Sequence, residues 1–206
     1  MMEFTRELVR SEAADYRAEN PFYPVEQEQL ETLPQAFETA AFGWRDAAWV
    51  VRWYYRRFLG SYPDAERRAA EERFQENEFD AVRTAIADAG AAITRLEQDA
   101  VDATTVTVRD AAAAIDALTA LNGVDVPVAT AFLMFLAPQR FTVLGPREWA
   151  VLHDAGELAE PYPTAPTASD YETYLDRCRS IAATVDCELW TVHRALWRLS
   201  ATTADQ

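Results

Sequence analysis

The sequence predicts an all-α protein, a single domain spanning 1–206. Apolar residues recur at three- and four-residue intervals through almost the whole chain, the spacing that gathers them on one face of a helix. Alternating apolar and polar runs, the mark of a half-buried strand, are scarce. Pro63 and Pro146 stand where a helix opens, and in a first turn the missing N–H costs nothing.

Taken in order, the periodicity places helices at about 4–18, 31–40, 44–59, 63–75, 78–98, 108–121, 127–136, 146–154, 170–183 and 187–199. Thr107 is the expected cap of the helix opening at Val108, Arg109 and Asp110. Ser169 and Glu172 have the spacing of a capping box. The stretch 104–108 has strand-forming residues but no second strand to pair with, so it reads as a linker. Residues 155–168 hold three prolines and read as a surface crossing between helices. No internal repeat is present. The order of elements suggests lobes 1–100 and 101–206, with the closing helices packing back on the first.

Composition narrows the chemistry. Half of the 206 residues are hydrophobic, enough for a real core. No apolar run approaches the roughly 20 residues of a membrane span, and the N-terminus carries acids where a signal peptide would be apolar. The expectation is a soluble, cytoplasmic protein with no membrane partner. There are 34 acids against 19 bases, and all 19 bases are Arg. Without Lys there is no Schiff base, no lysine-anchored pyridoxal phosphate and no phosphate loop of the lysine type. Cys178 and Cys187 lack metal-ligand spacing, and His153 and His193 lie far apart, so neither a metal nor a cofactor is expected. An acidic, lysine-free surface resembles that of proteins adapted to high internal salt, as in halophilic archaea. Net charge then says little about partners.

The most informative stretch is 118–152, LTALNGVDVPVATAFLMFLAPQRFTVLGPREWAVL. A helical run ends at Asn122-Gly123, a short hairpin follows, and a helix of small residues restarts at Pro127. Leu121-Asn122-Gly123-Val124-Asp125, with Ala129 and Ala131 beyond, resembles the helix-hairpin-helix of the DNA glycosylase superfamily. The resemblance implies a DNA partner, with backbone amides at Asn122, Gly123, Val124 and Val126 aimed at one phosphate beside a helix N-terminus. Asp125 stands where that pattern has a second Gly. Its carboxylate either repels phosphate or folds back to cap the next helix. The alternative is a plain helical hairpin packed in the core.

Two further segments carry the resemblance. Enzymes of the superfamily place an Asp at the start of the following helix, where it stabilises a developing sugar cation; the matching residue here is Gly145. Glu148, one turn further on, is the remaining candidate for catalysis, its alternative being a complement to the helix dipole. Trp53-Tyr54-Tyr55-Arg56-Arg57, the set Tyr171, Tyr174, Cys178 and Arg179, and Arg194-Ala195-Leu196-Trp197 resemble segments of uncharacterised glycosylase-like proteins. In 41–68 six Arg stand against three acids, whereas 1–40 holds three Arg against nine acids. Arg45, Trp49, Arg52 and Arg56 fall near one helical face. Trp53, Arg57 and Arg147 are therefore candidates to line a nucleic-acid cleft, aromatics stacking on bases. The other reading has the Trp residues in the core and the Arg residues paired with acids. Together these features suggest a non-catalytic nucleic-acid-binding or accessory module. The rivals are a protein-interaction or small-ligand-binding domain that has lost the phosphate site, and a hydrolase using Glu148.

A net charge of −15 implies self-repulsion whenever screening weakens, since the Debye length grows from ~3 Å at 1 M salt to ~10 Å at 0.1 M. Thermal melts from 0.1 to 2 M KCl are expected to rise steadily in midpoint. A constant midpoint would refute the salt-adapted reading.

Overall fold

A computed structural model describes residues 2–58, 62–99 and 109–204. Ten helices run through them: α1 Arg6–Glu19, α2 Tyr23–Glu38, α3 Trp44–Arg56, α4 Asp64–Gln75, α5 Phe79–Asp99, α6 Arg109–Thr119, α7 Val126–Leu136, α8 Pro146–Asp154, α9 Ala168–Val185 and α10 Leu189–Ala204. Among the described residues there is no strand, so 141–144 is an extended connection rather than part of a sheet. The expected Thr107 cap and the linker at 104–108 lie outside the described residues. No helix of the described chain is long and apolar enough to cross a membrane.

α7 is the axis of the fold. Every residue from Pro127 to Phe135 is buried, which suits a helix apolar on all sides and packed against neighbours all round. α2, α3, α5, α6 and α9 surround it, and α10 lies along α1 and against α8. Asp125 caps α7, accepting a hydrogen bond from the Val128 amide at 3.0 Å. Of the two roles open to Asp125, this is the one in which the side chain folds back.

Several helix starts differ from expectation. α2 opens at Tyr23 rather than near 31, because Asn20 Oδ1 turns the chain by accepting the Phe22 amide at 2.8 Å and Pro24 then seeds the first turn. The extension carries Glu26 onto the helix face that also bears Leu30, Leu33 and Phe37, all buried. α9 is capped by Thr167 with Asp170, two residues ahead of the expected Ser169 and Glu172. Pro63 also proves to be the residue before α4 rather than its first turn, while Pro146 opens α8 as expected.

Candidate functional site

The hairpin between α6 and α7 uses its polar groups inside the protein. Gly123 takes φ 76°, the left-handed conformation that favours glycine. It rests on the end of α4: a Cβ built there would lie 2.7 Å from Phe74 N and 2.8 Å from Ala70 O. Asn77, just beyond α4, receives the Asn122 amide on its Oδ1 at 2.9 Å and donates from Nδ2 to Asn122 O at 2.9 Å and to Phe74 O at 2.8 Å. The Val124 amide turns back to Leu121 O at 3.2 Å. Two of the amides expected to face phosphate, those of Asn122 and Val124, thus have partners within the fold. The Val124 side chain is buried and Val126 is half-buried, while Asn122 remains exposed at the tip.

Trp53 and Arg57, expected to line an open cleft, are instead interior residues, 4% and 0% exposed. The physical reason is the phase of α3. Its apolar face runs through Ala47, Val50, Val51, Trp53, Tyr54 and Tyr55, and Arg57 follows Trp53 by one turn on that face. Arg45 and Arg56 point outward, and Arg52, half-exposed, pairs with Glu71 at 3.5 Å.

Arg57 and Glu148 form a fully buried ion pair through Nη1 and Oε1. The guanidinium sits in an aromatic cage, its centre 4.6 Å from the Phe58 ring, 5.0 Å from Tyr54 and 5.8 Å from Trp53. Cation–π attraction and the carboxylate together offset the loss of water. Trp197 Nε1 donates to the Arg57 carbonyl at 3.0 Å, tying α10 to the same point. Burial alone would raise the Glu148 pKa, but the Arg57 charge and the bonds to it outweigh that and hold the carboxyl below the ordinary value.

Gly145 explains its own identity here. A Cβ built on it would fall on Arg57 Nη2 and Glu148 Oε2, so the ion pair occupies the space where a side chain at 145 would stand. Glu148 does reach back one turn to that place. Its charge is then balanced by Arg57, and the carboxylate is 0% exposed. Arg147, the residue before Glu148 on α8, is half-exposed with its guanidinium 5.6 Å from the Phe58 ring.

Three residues that the sequence reading did not single out complete this interior. Glu26 is fully buried and accepts from Tyr16 Oη at 2.8 and 3.0 Å and from Trp53 Nε1 at 2.8 Å. Burial pushes its pKa up, against those donors. His193 stacks on Trp190 at 5.2 Å, with Nδ1 3.7 Å from Glu148 Oε1. Burial pushes its pKa down to about 3, so the ring is neutral at ordinary pH. The signal for both was a titratable residue in phase with apolar neighbours: Glu26 with Leu30, Leu33 and Phe37, and His193 with Trp190 and Trp197. Tyr16 is the third, an apolar-face residue whose hydroxyl the sequence could not assign to a partner. Among the described residues, no group of three His, Cys, Asp or Glu is placed to hold a metal ion.

On the outside, a groove of about 690 Å³ runs between α2, the 138–140 segment and the junction of α9 with α10. Leu30, Leu189 and Trp190 contribute apolar lining, and Arg140 and Arg179 contribute charge. Arg179 Nη2 donates to Arg140 O at 2.8 Å, and the two guanidiniums lie 5.9 and 6.0 Å from the Phe141 ring. Trp190 forms part of the groove on one hand and stacks on His193 on the other. No protein-family model, curated protein or solved structure matches the chain.

Two consequences can be measured. Gly145→Ala forces a methyl group against Arg57 and Glu148; both are far ends of side chains, but both are enclosed on every side. The expected loss is about 3 kcal/mol or more in denaturant melts at 2 M KCl, since disrupting a buried pair costs ~3–5 kcal/mol. A loss under ~1 kcal/mol would show that the pair can move aside.

The second concerns acid. Because the His193 pKa is about 3 in the folded protein and 6.5 ordinarily, the folded state favours the neutral ring. Its contribution to stability is complete above pH 6.5 and drains away as pH falls towards 3, at about 1.4 kcal/mol per pH unit. Between pH 6 and 5, His193→Gln is expected to flatten the pH dependence of unfolding by about that slope relative to the unmodified chain. Parallel curves would contradict this.

Proposed function

We propose that the chain is a non-catalytic binding domain for a small ligand, built on a helical scaffold that resembles the glycosylase type, with the hairpin given over to structure. The observation that carries the reading is the pair of hydrogen bonds between Asn77 and Asn122, which takes up the amide at the hairpin tip and anchors the hairpin to α4. The carboxylate nearest the expected catalytic position supports it too, since Glu148 is enclosed with Arg57 rather than facing a substrate. The groove between α2 and the α9–α10 junction is the binding surface. Its volume falls within the ~300–1,000 Å³ usual for small-ligand sites, and its lining mixes an apolar floor with a few charged groups.

A second reading, an accessory nucleic-acid-binding module, rests on Asn122 exposed at the tip and on the outward Arg45, Arg56 and half-exposed Arg147. Titration with duplex, single-stranded and base-damaged DNA, at low salt and in molar KCl, separates the two. The ligand-binding reading expects no saturable DNA affinity, no base excision, and no gain from Asn77→Ala, which only loosens the hairpin. Tighter DNA binding by Asn77→Ala or Asp125→Gly would mean that freed amides do receive phosphate, and the second reading would replace the first. Excision abolished by Glu148→Gln would favour a hydrolase.

A further inference from the structure

The first turn of α2 hangs on one side chain. Of the positions between Asn20 and Leu30, all of them described, only Glu26 is buried, and it is 0% exposed. Pro24 and Val25 are exposed, and Phe22, Tyr23 and Gln27 are half-buried. The turn has little apolar contact of its own, and the Glu26 carboxyl ties it to α1 and α3.

The geometry of that tie favours a neutral acid. Tyr16 Oη stands 2.8 Å from Oε2 and 3.0 Å from Oε1, and Trp53 Nε1 donates to Oε1 at 2.8 Å. A phenol has one proton to give, so it donates fully to only one of those oxygens. Burial pushes the Tyr16 hydroxyl up as well, so that proton stays in place. A protonated Glu26 completes the set: its own O–H, on Oε2, donates to Tyr16 Oη, while the phenol and the indole donate to Oε1. An ionised carboxylate would leave two buried oxygens sharing the phenol proton.

The surrounding charges do not replace that proton. Arg57 on α3 is bound by Glu148 of α8, and His193 on α10 is a neutral ring. Arg17 on α1 and Arg194 on α10 rest over the Tyr23 ring, 5.7 and 5.6 Å from its centre. α7, which also packs on α2, has no ionisable residue, and Asp80, Arg83, Asp88 and Arg95 of α5 are exposed. Burial outweighs the pull of Arg57 and Arg194 and raises the Glu26 pKa.

We infer that Glu26 is a proton-dependent latch: with its proton it holds the first turn of α2 against α1 and α3, and without it that turn releases. The contribution is complete below the ordinary glutamate value of 4.5 and is lost as pH rises through the raised value. Release stays local, because Leu30, Leu33 and Phe37 keep the rest of α2 in the core. Gln27, next to Glu26, lines the outer groove, so the latch governs part of one wall.

Infrared spectroscopy and amide hydrogen exchange over a pH series test this on the unmodified protein. A protonated-carboxyl band is expected to persist at about pH 6, where exposed carboxylates are ionised, and to vanish as pH rises further. Over the same interval the protection factors of amides 25–27 should fall about tenfold per pH unit, while those of α7 stay constant. Glu26→Gln keeps a neutral side chain with an acceptor and a donor; it should remove the band and hold the protection of 25–27 constant. Tyr16→Phe takes away one hydrogen bond to the acid and should shift the band, an assignment independent of whether the Gln variant folds. Absence of the band at about pH 6 would overturn the inference, as would a band that persists at every pH at which the protein stays folded. Loss of the band with protection of 25–27 unchanged, or an equal fall of protection in Glu26→Gln, would overturn it too.

Discussion

Arg57 and Glu148 are wholly withdrawn from water, and much of the fold is arranged around that fact. Each ion alone costs several kcal/mol to bury, so the pair survives only where geometry and surrounding groups are right. Arg57 closes α3 and Glu148 sits in the first turn of α8, so their contact fixes the end of one helix against the start of another. Gly145 follows from it, because a side chain there would displace the pair. So does the aromatic cage of Tyr54, Phe58 and Trp53, which faces the cation with π-density in place of water. Trp197 adds α10 to the same junction by bonding the Arg57 carbonyl.

The second interior carboxyl is managed differently. Glu26 has no guanidinium in contact and is held by neutral donors, Tyr16 and Trp53. Burial therefore wins and favours its protonated form, whereas Arg57 wins at Glu148 and favours the charged form. His193 lies beside Glu148 as a neutral ring. Arg57 and Glu148 thus set a positive and a negative charge close together within the apolar core.

The same economy of polar groups governs the hairpin and the start of α8. At the hairpin, Asn77 and Asp125 consume donors that the local sequence leaves available, and at α8 the cation that Glu148 serves is the protein's own. On the outer surface, the groove beside Arg140 and Arg179 combines an apolar floor with charged groups of both signs. Trp190 links the two worlds, forming part of the groove while stacking on the buried His193.

The sequence by itself determined the all-helical class, the approximate course of the helices and the turn at Gly123, because these rest on short-range rules: apolar spacing, caps, and the freedom of glycine. It also pointed to Trp53, Arg57, Gly145 and Glu148 as unusual. It could not say that the first two face inward, nor that the last two are explained by Arg57, since residues 57 and 148 meet only through packing of distant helices. Likewise the partner of Asn122 is Asn77, 45 residues away, and no local pattern announces it. Helical phase is legible to within a turn, but whether a charged residue on the apolar side is tolerated depends on a counter-charge supplied from elsewhere. That is a property of three-dimensional packing alone, and it decided which of the candidate residues stand in the core and which meet water.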